Sequence, residues 1–138
     1  EHTIKGGVDF IVSLGTTGED ATLSKEESKE VLQFTIKINN GRVPVVAGMF
    51  GGNNTAALVK KIKDFDFTGV DALMSSSPAY IKPNQEGIYQ HYMALEAVSP
   101  VPIIIYNPDH HSRKFRFKKA ALGRANTNGV AFELWVSR

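Results

Sequence analysis

Two groups of residues in this chain have the types and spacing for chemistry. The first is the pentad Gly15-Thr16-Thr17-Gly18-Glu19. Its two glycines permit a tight turn with clustered backbone N–H groups, and its two hydroxyls add further donors. Such a turn suits a small anion. Glu19 and Asp20 follow at once, and a pair of carboxylates repels a phosphate dianion more than a singly charged carboxylate. A plain glycine-rich turn has the same sequence appearance. The second group is Tyr80 and Tyr106. A tyrosine hydroxyl relays protons when a neighbour tunes it, while an isolated tyrosine more commonly packs and makes one hydrogen bond. His110 and His111 are adjacent, so in extended chain they face opposite ways and no metal site is expected from them. His91 sits within a helical pattern and reads as structural. Lys60, Lys61 and Lys63 read as a solvated helix face.

These residues need a scaffold. Apolar, β-branched runs at Phe10–Leu14, Val43–Gly48, Val70–Met74 and Ile103–Tyr106, and from Val130 onward, predict strands. Between them lie amphipathic stretches. Ser24-Lys25-Glu26-Glu27 is a capping box that opens a helix closed by Asn40-Gly41. Asn54 or Thr55 opens a second helix, and a third runs from about Gln85 to Ala97. A fourth is expected between Phe117 and Asn126. Each strand start lies one full βα repeat after the last, and parallel strands need a crossover of that size. The fold class is therefore α/β with a parallel sheet covered on both faces. Two architectures satisfy it: part of a (β/α)8 barrel, or an open flavodoxin-like sheet. Both bind ligands at the carboxyl ends of their strands. The flavodoxin reading would place a flavin phosphate at residues 15–19, against the two carboxylates.

Composition narrows the classes. The chain has 138 residues, no cysteine and a net charge of +2. Disulfides and thiolate metal sites are excluded, and the charge gives no argument for nucleic acid. No apolar run reaches the ~20 residues of a membrane span. No leader pattern opens the sequence, so a cytoplasmic location is expected and the sequon at Asn53 carries no weight. A complete barrel needs about 250 residues, so only part of one is expected here. Charge is uneven: residues 1–107 hold nine Lys/Arg against twelve Asp/Glu, and residues 108–138 hold seven against two.

Four blocks carry a family resemblance. They are Gly15–Glu19 with Ala21–Ser24, Val46–Gly48 with Gly52–Thr55, Ser77–Pro83 with Gln85–His91, and Pro102–Asn107. In this order and spacing they resemble the dihydrodipicolinate synthase / N-acetylneuraminate lyase family over residues 1–107, and the double threonine favours the first branch. The resemblance implies barrel strands two to about six. It also implies class I aldolase chemistry, in which pyruvate forms a Schiff base with a lysine and then condenses with aspartate semialdehyde on the route to lysine and diaminopimelate. Thr16 and Thr17 would bind pyruvate, Thr17 through its hydroxyl and backbone N–H. Thr16, Tyr106 and Tyr80 would form the proton relay, Tyr80 acting in a neighbouring subunit of a homodimer or tetramer. No cofactor or metal is implied.

The departures are specific. The family's Tyr-Asn-Val-Pro-Gly-Arg segment is here Tyr106-Asn107-Pro108-Asp109-His110-His111, without the arginine, and Arg113 has no motif-based claim to that role. The sixth-strand lysine is missing, because Val130-Ala131-Phe132 runs into Glu133; Lys118 and Lys119 lie a helix away. Met49-Phe50 adds one residue to the usual spacing, and Ala79 replaces a common tyrosine. The charge jump at Pro108 coincides with the loss of resemblance, so residues 108–138 read as a divergent or frameshifted basic tail contributing at most one helix and one strand. The chain alone is then expected to be inactive and, with open sheet edges, prone to associate. A non-catalytic flavodoxin-like or keto-acid-binding module is the alternative.

Overall fold

The computed structural model describes residues 1–78 and 83–106, and the backbone of 132–133. Five strands form one parallel sheet: β1 (Ile11–Ser13), β2 (Val45–Ala47), β3 (Ala72–Ser76), β4 (Ile103–Tyr106) and β5 (Phe132–Glu133). They lie in sequence order, β1-β2-β3-β4-β5. A one-turn helix, α1 (His2–Lys5), precedes them, and α2 (Lys25–Asn39), α3 (Thr55–Asp64) and α4 (Gln85–Glu96) cross between β1 and β4. The helix expected at residues 117–126 lies outside the described residues, as does the rest of the 108–138 segment apart from the β5 backbone.

Local chemistry sets these boundaries. At α2, the Glu27 N–H donates to Ser24 Oγ at 3.2 Å and the Ser24 N–H donates to Glu27 Oε2 at 2.8 Å, completing the capping box. Asn40 closes the helix in the left-handed region, φ 48°. Asn54 and Asn84 cap α3 and α4 by accepting from the N–H groups of Ala57 and Gly87. β2 begins after Pro44, which has no N–H for the ladder. The Pro44 carbonyl still accepts the Ile11 N–H, and the Val45 N–H donates to Asp71 Oδ2.

Side chains alternate between two faces along each strand. Val45, Ala47, Leu73, Ile103 and Ile105 join the main core with Leu32 of α2, Leu58 and Ile62 of α3, and Ile88 and Leu95 of α4. Val46, Ala72, Met74 and Ile104 form a second cluster, packed by Phe10 and Tyr106. All three long helices therefore feed one face. This corrects two expectations. A flavodoxin-like sheet needs a reversal of strand order and helices on both faces, and here the order never reverses and the helices share one core. The architecture is that of a partial barrel, with the second cluster on the face a closed barrel would turn inward. Beyond β2, Phe50 packs against Phe65 edge-on at 5.2 Å and stacks on Phe67 at 5.7 Å between centroids. Among the described residues no helix is long and apolar enough to cross a membrane.

His91 ties α4 to α3. Its Nδ1 is hydrogen-bonded to Thr55 Oγ1 at 2.8 Å, and its buried Nε2 has no partner among the described residues. Burial holds its pKa below the usual 6.5.

Leu73→Ala, at a fully buried position, is expected to cost about 2–5 kcal/mol in urea unfolding, and Ser24→Ala about 1 kcal/mol. The unfolded chain takes up a proton at His91 near pH 6.5, whereas the folded chain resists it, so stability should fall as pH drops from there through the lower folded pKa. His91→Gln should shrink the difference between urea midpoints measured at about pH 7.5 and about pH 5.5; an unchanged difference would clear His91 of that role.

Candidate functional site

The pentad begins immediately after β1. Leu14 is buried and left-handed, φ 61°, an uncommon backbone for a leucine that turns the chain sharply out of the sheet. Thr16–Gly18 then form a single 3-10 turn, closed by Gly18 N–H to Gly15 O at 2.8 Å and Glu19 N–H to Thr16 O at 3.2 Å. The amides and hydroxyls of Thr16 and Thr17 have no hydrogen-bond partner among the described residues, and both side chains are exposed. Four donors are thus left for a ligand. Asp20, one of the two carboxylates that would oppose an anion, is held toward α2 by a hydrogen bond from Ser28 Oγ at 3.1 Å.

Glycines bring the next loop against this turn. The Gly48 N–H donates to Ser13 O at 2.7 Å. A Cβ on Gly48 would lie 2.7 Å from Gly15 N and 2.8 Å from Leu14 O, so a side chain there would push the pentad away. A Cβ on Gly51 would collide with the Ser76 hydroxyl at the end of β3. The first two carboxyl-end segments are therefore nested backbone against backbone, and the Ser76 side chain packs against the backbone of the second.

Tyr106 ends β4 opposite Ser76. It is half-buried against the second apolar cluster, and its carbonyl accepts the Ser77 N–H at 3.0 Å. Its hydroxyl has no partner among the described residues. Thr16, Thr17 and Tyr106 thus all lie at the carboxyl ends of strands, where ligands bind in this architecture, but no hydrogen bond joins Thr16 to Tyr106. Tyr80 lies outside the described residues. So do His110, His111 and Arg113.

Other polar features had no clear sequence signal. Tyr92 of α4 is buried, hydrogen-bonded to Ser77 Oγ at 3.0 Å, and donates to the Ser75 carbonyl at 3.3 Å. Burial pushes its pKa up to about 12, against those hydrogen bonds, so it remains a protonated strut beneath the third loop. A serine run at a strand end facing a helix tyrosine was the available cue. Lys61 corrects an expectation. Lys60 and Lys63 are exposed as a solvated face requires, but Lys61 is half-buried, donates to the Met49 carbonyl at 2.6 Å and lies 5.3 Å from the Phe50 ring centroid.

Known proteins are similar to this chain in sequence and fold. The profile of the dihydrodipicolinate synthetase family matches residues 1–115. A 4-hydroxy-tetrahydrodipicolinate synthase of Cytophaga hutchinsonii is 52% identical over 107 residues, covering 78% of this chain and 36% of that protein. The Bacillus subtilis protein of the same name is 47% identical, covering 78% and 37%. A crystal structure of dihydrodipicolinate synthase from Thermotoga maritima superposes with a TM-score of 0.74 at 33% identity, over 80% of this chain and 37% of that one. The Acinetobacter baumannii synthase, solved in complex with pyruvate, gives 0.71 at 41% identity, over 78% and 37%. The chain thus spans little more than a third of the length of these relatives. The singly wound sheet, the nested glycine loops and the profile match across most of the chain lead to one assignment: this chain belongs to the dihydrodipicolinate synthetase family.

Proposed function

We propose that this chain is the pyruvate-recognising portion of a barrel with 4-hydroxy-tetrahydrodipicolinate synthase activity, the whole protein condensing pyruvate with aspartate semialdehyde. The observation that carries this reading is the Gly15–Glu19 turn, whose two threonine amides and two hydroxyls have no described protein partner. Four donors at a strand's carboxyl end suit one carboxylate, since hydrogen bonds to an ionised acceptor are roughly twice as strong as neutral ones. The pyruvate complex of the Acinetobacter baumannii relative supports the choice of ligand.

In this reading Thr17 holds the carboxylate through its hydroxyl and N–H. Thr16 adds a second hydroxyl and begins the proton relay. Tyr106 serves as acid and base toward the bound keto acid, and Tyr80 completes the relay from a second copy in a homodimer or tetramer. The reaction is a cytoplasmic step in lysine and diaminopimelate formation. Covalent catalysis by a Schiff base needs an amine made nucleophilic by its surroundings. In the strand beside β4, Phe132 is followed by Glu133, so these residues bind a keto acid without supplying that amine. Binding in itself gives no turnover, and the chain alone is an inactive keto-acid-binding module.

Pyruvate titrated into the ¹⁵N-labelled chain should shift the amide signals of residues 15–19. Thr17→Val should weaken binding by about tenfold or more, as a hydrogen bond to a charged group contributes about 1.5–3 kcal/mol. Thr22→Val should leave affinity unchanged, because the Thr22 hydroxyl is already committed to the Glu19 carbonyl. Equal affinity in Thr17→Val, or no shift in the pentad, would remove the basis for the assignment.

A further inference from the structure

One hydroxyl in the mouth has no part in holding the carboxylate: that of Ser76, the last residue of β3. Its two serine neighbours are fully buried toward α4. The Ser77 hydroxyl is hydrogen-bonded to Tyr92, and the Ser75 carbonyl accepts from Tyr92. Ser76 differs. Alternation along β3 from Met74 places it on the face away from the helices. It pairs in register with Tyr106, which packs on that same face. Ser76 is half-buried, and its hydroxyl has no hydrogen-bond partner among the described residues. Gly51 makes room for that hydroxyl, since any Cβ there would collide with it.

Position gives this hydroxyl a task. The pentad follows β1 and Tyr106 ends β4. A ligand whose carboxylate sits at the pentad and whose other end points toward Tyr106 crosses the ends of β2 and β3. β2 runs out through Val46, Ala47 and Gly48, which carry no polar side chain. Ser76 is therefore the polar side chain that a strand end presents between the two. The surrounding face is apolar, built from Val46, Ala72, Met74 and Ile104. A carbonyl oxygen carried over such a face loses water and needs a donor, and a serine O–H is one. We infer that Ser76 donates to the keto oxygen of the bound acid and so selects 2-oxo acids over carboxylates that lack that oxygen, an inference that rests on the pentad holding the carboxylate as proposed above. With a plain carboxylate the hydroxyl meets no acceptor on the ligand, and that missing bond is the discrimination.

The test titrates pyruvate and propanoate, which differ at the keto oxygen, into the ¹⁵N-labelled chain and follows the amide signals of residues 15–19. The unaltered chain should bind pyruvate more tightly. Ser76→Ala should weaken pyruvate by about two- to tenfold, the range of one neutral hydrogen bond, and leave propanoate unchanged; the unchanged propanoate affinity also shows that the variant is folded. Thr17→Val should weaken both acids by the same factor. Equal losses for both acids in Ser76→Ala, or no loss for pyruvate, would overturn the inference and leave the role of the pentad standing. If neither acid moves the pentad signals of the unaltered chain, the carboxylate reading falls and the inference falls with it.

Discussion

Parallel strands point successive side chains to opposite faces, and the chain depends on keeping that alternation in step across β1 to β4. Val46 pairs with Ala72 and Met74 with Ile104, and these four residues share the face away from the helices. Their neighbours in sequence supply the helix-facing core. Because the strands never reverse order, one face takes every crossover helix and the other takes none. Tyr106 ends β4 on that second face because Ile104, two residues earlier, lies there too. The position of a candidate catalytic hydroxyl is thus inherited from the parity of an isoleucine run.

The mouth itself is built largely from backbone. Leu14 leaves the sheet in a strained conformation, and Gly48 approaches so closely that a methyl group would collide with the turn it supports. Strain of this kind persists only where surrounding contacts over-determine it, and here the Gly48 N–H bond to Ser13 and the buried Leu14 side chain do so. The result is a turn whose Thr16 and Thr17 donors have no partner among the described residues. The buried Tyr92 hydroxyl, bridging to Ser77 and Ser75, steadies the base of the third loop in a similar way.

Much of this was legible in the sequence, for reasons that are local. The Ser24–Glu27 capping box, the Asn54 cap and the apolar strands express themselves through neighbours a few residues away. The pentad and Tyr106 stood out because they fall at the carboxyl ends of strands, although a plain turn and a packing tyrosine have the same sequence appearance. The sidedness of the helices was not legible: a buried parallel strand is apolar throughout, whether it is covered by helices on both faces or by a barrel interior on one. Nor was the fate of Lys61, since Lys60, Lys61 and Lys63 present the same residue type and only the Met49 and Phe50 loop distinguishes them. The one-turn helix α1 and the 3-10 turns lack a periodic signal altogether.

Phe50 shows how such a chain tolerates change. Phe50 is fully buried, with Phe65 and Phe67 around it. Inside β2 (Val45–Ala47), an added residue would exchange every later side chain of that strand between faces. Placed after Ala47, it leaves the parity of the sheet untouched and becomes new core. The strands hold a fixed frame, whereas the loops at their carboxyl ends, which carry the candidate site, can change length without shifting it.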